Sequence, residues 1–170
     1  MSINKNFPSG PDETKRLRLL HASGFANGIR FPELDALCIE AKASFDVKFA
    51  IISLLTEELQ IIKARDGFDV ETTPRNIAFC NYTILTDQVF VVLDATKDVR
   101  FQDNQMVVND PKVRFYAGAP LIYVKNIRLG AFCLIDTNPR AGFRLGDKAE
   151  LADYAERASH LLIRRLRSTG

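Results

Sequence analysis

Residues 114–136, RFYAGAPLIYVKNIRLGAFCLID, carry the clearest strand pattern in the chain. Branched and aromatic residues, which favour strands, fill two runs of this segment, and Asn126 lies between the runs at a position suited to a tight turn. The segment therefore predicts two long antiparallel strands joined by a short turn. Gly118 and Pro120 lie inside the first run. Since glycine weakens a strand and proline cannot donate to its neighbour, we expect a bulge or bend there.

The sequence before and after this hairpin predicts three more strands and several helices. Apolar runs typical of strands occur at 48–55, 59–65 and 89–95. Helical spacing of apolar residues occurs at 12–23, 32–45 and 147–166, and short helices are expected within 72–87 and 96–113. Strands that follow one another through short links pair antiparallel, so this order predicts an α+β domain with an antiparallel sheet and helices packed on one face.

Length and composition indicate one intracellular globular domain. The 170 residues suit a single core, and we expect a leader and flanking helix at 1–24 followed by one domain at 25–170. A net charge of +2 is too small to indicate nucleic acid or a membrane as partner. The first residues contain no apolar segment of a signal peptide, and three cysteines without close spacing argue against a disulfide framework. These features predict a cytoplasmic location.

The two terminal helices suggest an interface. The helix at 12–23 offers only Leu17, Leu19 and Leu20, and the apolar stripe of the last helix continues to Leu166. Contiguous exposed leucines usually mark an interface, so we expect the first helix to need a partner and the chain to form a homodimer through its terminal helices.

Residues 78–140 resemble the GAF domain family, in the subgroup found in bacterial sensor kinases and cyclic-dinucleotide signalling proteins. The resemblance is carried in order by Phe79-Cys80, by Val92 to Asp94 with Asp98-Val99-Arg100-Phe101, by residues 114–118 with Pro120-Leu121, and by Gly130 to Asp136 with Pro139-Arg140. It implies an antiparallel sheet with helices on one face and a loop-lined pocket on the other. It names no cofactor.

The resemblance also implies a ligand site between the sheet and the loops. The residues that would wall this pocket are Phe79, Cys80, Asp94, Arg100, Phe101, Phe115 and Tyr116. Because successive strand residues point to opposite faces, only one of Phe115 and Tyr116 can face the pocket. Some members of the family have a pocket filled by their own side chains.

The sequence offers little catalytic chemistry, and we predict no catalytic residue and no metal site. Cys80 lies near a cysteine of the GAF proteins that reduce free methionine sulfoxide, but the loop after residue 95 lacks their other cysteine. Cys133 is expected to be a small buried strand residue. His21 and His160 are isolated, and the bilin-binding pattern of phytochromes is absent from the sequence. Asp98 and Arg100 are expected to pair and hold their loop to the sheet.

Three functions remain open from the sequence. The first is a non-enzymatic sensory or regulatory module in bacterial signal transduction that binds a small molecule or relays a signal through a dimer. The second is a thiol-dependent reductase of free methionine sulfoxide acting through Cys80. The third is a ligand-free dimerisation domain. For the first function, the residues contain no output segment, so a kinase or cyclase effector would lie outside them.

Overall fold

The computed structural model describes residues 7–169, with side chains up to residue 166. The predicted leader, residues 1–11, therefore lies mostly outside the described residues. The helices in this range are α1 (Glu13–Ser23), α2 (Pro32–Phe45), α3 (Cys80–Thr83), α4 (Gln105–Val108) and α5 (Leu145–Thr169). The strands are β1 (Phe49–Leu55), β2 (Leu59–Asp66), β3 (Thr72–Pro74), β4 (Phe90–Val92), β5 (Phe115–Val124) and β6 (Ile127–Asp136).

The strands form one antiparallel sheet in the order β3-β2-β1-β6-β5-β4 within the described range. The long helices α1, α2 and α5 cover one face, and a loop layer (residues 75–89 and 93–113, with α3 and α4) covers the other. All seven residues of β1 are buried, because both faces of this central strand are covered. The predicted α+β fold with helices on one face is confirmed.

Two details of the sheet differ from the sequence-based prediction. The strand β3 was not predicted, because three residues that end in proline carry no alternating pattern. The predicted bulge at Gly118 and Pro120 is wrong, since both pair in regular register with β6 and the register shifts only after Leu121. Pro120 is tolerated because β4 pairs with β5 only up to Gly118, which leaves that side of Pro120 free of a neighbouring strand.

The terminal helices pack on their own domain more completely than expected. Leu20 is fully buried, Leu17 and Leu19 are half-buried, and Arg16 is buried at 3% exposure. On α5, Leu166 is half-buried against the helix-side core, which is the part of the core between the sheet and the long helices. The expectation that α1 gains little by packing on its own domain is therefore wrong, because Leu20 and a buried arginine anchor it. The homodimer itself remains a prediction.

Candidate functional site

The cavity that corresponds to the predicted pocket lies between the sheet and the loop layer. Its walls come from β1, β2, β5, β6 and the loops: Ile51, Gln60, Phe68, Phe79, Cys80, Met106, Val113, Tyr116 and Ile135. Its volume is about 20 Å³. A space of this size holds about one water molecule. The pocket is therefore nearly closed in this structure.

Aromatic side chains fill the rest of this space. The rings of Phe79 and Phe101 stack with their centroids 4.0 Å apart, and Tyr116 lies 5.3 Å from Phe79. Tyr82 meets Phe101 edge to face at 5.1 Å. Such ring pairs contribute about 0.5–1.5 kcal/mol each beyond their buried area. A ligand larger than water would have to displace this packing.

Four of the seven predicted site residues come together here, and Phe115 does not. Phe79, Cys80, Phe101 and Tyr116 are all buried in the core of the loop side. Phe115 is buried in the helix-side core, where its ring centroid lies 5.8 Å from that of Phe143. The alternation of side chains along β5 explains this separation. Phe115 therefore cannot line the cavity, whereas Tyr116 does.

Asp94 and Arg100 lie outside the cavity. Asp94 is half-buried and accepts hydrogen bonds from the backbone N–H of Thr96 at 3.0 Å and from its hydroxyl at 2.6 Å. These bonds, mainly the one from the hydroxyl, lower the pKa of Asp94. Its role here is to begin a helical turn rather than to wall a pocket.

Arg100 covers the aromatic cluster from outside. Its guanidinium donates to both carboxylate oxygens of Asp98, at 2.9 and 2.6 Å, and lies 4.9 Å from the ring centroid of Phe90 on β4. The hydrogen bond from Arg100 lowers the pKa of Asp98. The predicted pair is present, and the stack on Phe90 fastens its loop to the sheet.

Cys80 and Cys133 belong to a buried thiol cluster, which we define as Ser53, Cys80, Tyr116 and Cys133. The two Sγ atoms lie 3.2 Å apart, and the hydroxyl of Ser53 lies 3.1 Å from Cys80 Sγ. The hydroxyl of Tyr116 donates to Cys80 Sγ at 3.2 Å and lies 2.8 Å from Thr83 Oγ1. Each member is at most 1% exposed. The sequence did not predict that these two thiols lie in contact.

The pKa values of the two thiols are shifted in opposite directions. Burial raises the pKa of Cys80, but hydrogen bonds from Cys133, Ser53 and Tyr116 outweigh burial and lower it overall. Burial and the neighbouring Cys80 raise the pKa of Cys133 well above its usual value. Burial raises the pKa of Tyr116 as well. The Cys80 sulfur is therefore the member of the cluster best suited to carry negative charge.

A second buried group, which sequence analysis missed, joins α1 to the loop layer. This charge network consists of Glu13, Arg16, Arg75 and Asn81. Arg75 donates to Glu13 Oε1 at 2.5 Å and to Asn81 Oδ1 at 2.8 Å, and Arg16 donates to Glu13 at 2.9 Å through both Nε and Nη2. Arg16 also donates to the backbone carbonyl of Leu55 at 2.8 Å. The network ties α1, β1 and the loop layer together.

The environment of the charge network favours the ionised carboxylate. Burial would raise the pKa of Glu13, but hydrogen bonds from Arg16 and Arg75 outweigh burial and lower it to about 2. Arg75 is 0% exposed, and burial lowers its pKa while Glu13 partly offsets this. Arg75 Nη2 has no hydrogen-bond partner among residues 7–169, and the ring of Phe7 lies 4.2 Å from the guanidinium carbon.

Other parts of the described chain offer no alternative centre of chemistry. Two larger grooves, of about 250 and 390 Å³, contain none of the predicted site residues. No cluster of three or more histidine, cysteine or acidic side chains that could hold a metal occurs among the described residues. His21 pairs with Glu57 at 2.6 Å on the surface, and His160 is exposed. None of the helices described has the length and apolar character to cross a membrane.

Comparison with known sequences gives a clear relative. The chain is 38% identical over 162 residues to a cyclic di-GMP phosphodiesterase of Pseudomonas aeruginosa. The match covers 95% of this chain and 27% of the relative, so the chain spans about a quarter of that protein.

Solved structures share the fold at low sequence identity. Free methionine-R-sulfoxide reductase from Neisseria meningitidis superposes with a TM-score of 0.64 and 12% identity, over 96% of this chain and 97% of that one. The GAF domain of an Acinetobacter phosphoenolpyruvate-protein phosphotransferase superposes with a TM-score of 0.63 and 15% identity, over 92% of this chain and 96% of that one. The PixJ GAF domain of Thermosynechococcus elongatus superposes with a TM-score of 0.62 and 12% identity, over 91% of this chain and 92% of that one. The profile of the family described as GAF domain matches residues 32–162. The chain therefore belongs to the GAF domain family.

Proposed function

We propose that this GAF domain is a cytoplasmic regulatory module of bacterial signal transduction, which catalyses no reaction and relays changes in its loop layer to α1. The observation that carries the proposal is the buried contact of Arg75 with both Glu13 on α1 and Asn81 on α3. Arg75 lies at the start of the loop layer, so one side chain links the loop layer to the first helix.

The strength of this link supports a relay. Glu13 is held between two arginines whose side chains are 4% and 0% exposed. Separating a buried ion pair leaves uncompensated charges and costs about 3–5 kcal/mol. A displacement of α3 would therefore move Arg75 and Glu13 with it rather than break the network. The position of α1 then depends on the arrangement of the loop layer.

The small volume of the cavity limits which ligands could act on the relay. A volume of about 20 Å³ accommodates a water, so a larger small-molecule ligand would bind only with displacement of the Phe79–Phe101 stack. Such a displacement moves the loop layer, which is the change that the relay transmits. Native mass spectrometry of freshly purified protein tests whether a ligand copurifies with it.

The output is proposed to lie in another polypeptide or in further sequence of a longer protein. Similarity to part of a cyclic di-GMP phosphodiesterase favours an effector that turns over a cyclic dinucleotide, with a kinase or cyclase as the other options. A homodimer through the terminal helices is part of this proposal, since the ends of α1 and α5 are where a neighbouring domain would attach.

Hydrogen exchange of two matched variants tests the relay. Asn81→Ala removes the acceptor of Arg75 Nε, whereas Asn104→Ala removes a similar amide elsewhere in the loop layer, which bonds Met106 N and the Ile77 carbonyl. We expect faster exchange of the α1 amides in Asn81→Ala and unchanged exchange there in Asn104→Ala. Equal α1 exchange in both variants would contradict the relay.

A thiol reductase is the second candidate, favoured by the contact between the Cys80 and Cys133 sulfurs. The volume of the cavity argues against it, because free methionine sulfoxide is far larger than a water. An assay for methionine formed from the free sulfoxide with dithiothreitol as reductant decides between the two. Turnover that is lost in Cys80→Ser would establish the reductase and overturn the non-catalytic proposal.

A further inference from the structure

The thiol cluster has a chemical capacity that the proposed relay does not use. We propose that Cys80 and Cys133 form a reversible disulfide on reaction with hydrogen peroxide, so that the thiol cluster beside the cavity is a redox modification site. The inference rests on the thiol cluster alone and holds whether or not the domain relays a signal through α1.

The geometry of the two sulfurs favours the bond. They lie 3.2 Å apart, and a disulfide needs about 2.05 Å, so an approach of about 1.2 Å completes it. Cys133 is fixed on β6, an interior strand of the sheet, while Cys80 begins the four-residue helix α3 in the loop layer. We therefore expect Cys80 on α3 to move towards Cys133, because α3 is short and has fewer hydrogen bonds to its neighbours than β6.

The hydrogen bonds assign a different role to each thiol. Cys80 Sγ accepts from the Tyr116 hydroxyl and lies within 3.2 Å of both Ser53 Oγ and Cys133 Sγ. Three groups that can donate hydrogen bonds to this sulfur would stabilise its thiolate, which is the nucleophilic form. Cys133 keeps its proton and is placed to attack Cys80 once the latter is oxidised. Cys80 is thus the peroxidatic thiol and Cys133 the resolving one.

The reaction balances with peroxide as the sole oxidant. Cys80 gives up its proton and its sulfur attacks one peroxide oxygen, the O–O bond breaks, and the departing hydroxide takes up that proton to form water. The resulting sulfenic acid is then attacked by the Cys133 sulfur. The S–O bond breaks, and its hydroxide leaves with the Cys133 proton as a second water. Two thiols lose two electrons in total, and one peroxide becomes two waters.

The cavity limits which oxidants reach the site. Cys80 lines the space of about 20 Å³ beside Met106, which is 9% exposed, and Phe68, which is half-buried. Small motions of these two side chains admit a molecule of two oxygen atoms, whereas a peptide disulfide such as oxidised glutathione is excluded. Selectivity for a small oxidant follows from size and not from a binding group.

Cys38 provides a control inside the same molecule. It is 0% exposed like Cys133, but it lies in the helix-side core, on the opposite face of the sheet. Burial raises its pKa far above the usual range. A thiol in that setting is unreactive. Peroxide should therefore leave Cys38 reduced while it oxidises the other two.

The test is thiol mapping of the full chain after treatment with hydrogen peroxide. The protein is denatured in an alkylating reagent and digested, and its peptides are identified by mass. We expect a peptide pair linked through Cys80 and Cys133, its complete loss with dithiothreitol, and an alkylated Cys38. Oxidised glutathione should give no linked pair. Cys38→Ala should give the same pair as the wild type, and Cys133→Ala should lose it entirely.

The outcome that overturns the proposal is read from the wild-type chain and so does not depend on the folding of a variant. Alkylation of all three cysteines after peroxide, or oxygen added to Cys80 without a link to Cys133, would show that the pair does not act as a redox site. A linked pair that contains Cys38 would overturn it equally.

Discussion

Replacing Glu13 with glutamine should destabilise the fold in a manner that depends on pH. The carboxylate accepts hydrogen bonds from Arg16 and Arg75, and its side chain is 10% exposed. Glutamine keeps the size of the side chain but removes the charge that neutralises two buried guanidinium groups. Breaking one half of a buried ion pair costs more than the pair contributes, because the remaining charge stays buried.

The magnitude follows from the pKa of Glu13. Burial alone would raise it, yet hydrogen bonds from the two arginines lower it from 4.5 to about 2. A difference of one unit corresponds to about 1.4 kcal/mol, so the lowering stabilises the fold by about 3 kcal/mol at pH 7. Because the folded-state pKa is the lower one, this stability is complete above pH 4.5 and is lost as the pH falls towards 2.

Urea unfolding followed by circular dichroism measures the effect at pH 7 and pH 3. We expect Glu13→Gln to lower the free energy of unfolding by about 3 kcal/mol at pH 7 and by about 1 kcal/mol at pH 3, where the wild type has lost most of the stabilisation. Glu40→Gln is the control, because Glu40 pairs with Arg157 at 3.3 Å with its side chain 54% exposed, and such pairs contribute about 0–1 kcal/mol. An equal loss in both variants, or a loss from Glu13→Gln that does not change with pH, would contradict this prediction.

Four further predictions concern packing and assembly. Phe115→Ala should lower the free energy of unfolding by about 3–5 kcal/mol, since its ring is 0% exposed in the helix-side core; a loss below 1 kcal/mol in urea unfolding would contradict this. Gly118→Ala should cost about 1–3 kcal/mol, because the added Cβ would lie 2.2 Å from the Tyr116 hydroxyl, and the cost should shrink in a Tyr116→Phe background. Light scattering should give a dimer mass for the full chain. Deleting residues 1–24 should lower the melting temperature as well as the dimer fraction, because Arg16 and Glu13 are removed; an unchanged melting temperature would show that α1 does not stabilise the core.

The main helices and five strands were predictable because their residues carry a period or a turn signal. The hairpin of β5 and β6 has long runs of branched and aromatic residues, and Asn126 takes a positive φ of 67° at the turn. In contrast, β3 has three residues and forms only because the edge of β2 is available to pair. Its existence depends on the neighbouring strand and not on its own sequence.

The cavity was only partly predictable for a related reason. Alternation along β5 separates Tyr116 from Phe115 without knowledge of the structure, and the structure decides which of them meets the loop layer. That the rings of Phe79 and Phe101 stack and close the space depends on packing between residues separated by α3, β4 and the loops that join them, which no period encodes. A pattern of apolar residues gives the face of an element but not the volume left between faces.

The charge network was missed because it joins residues far apart in sequence. Glu13 and Arg75 are separated by 62 positions, and charged residues in a polar helix normally face solvent. One signal was available: Arg16 lies four residues before the buried Leu20 and therefore on the same face of α1. A charged residue on the buried face of a helix indicates a partner inside the fold.

The two buried polar groups meet at α3, and this limits how independently they can act. Cys80 contributes to the thiol cluster, and Asn81, the next residue, contributes to the charge network. Thr83, on the same short helix, lies 2.8 Å from the Tyr116 hydroxyl. A displacement of the backbone of this short helix would move all three side chains together, whereas rotation of one side chain would not. We therefore expect a change in the thiol cluster to reach the contact of Arg75 with α1 where it shifts the backbone of α3.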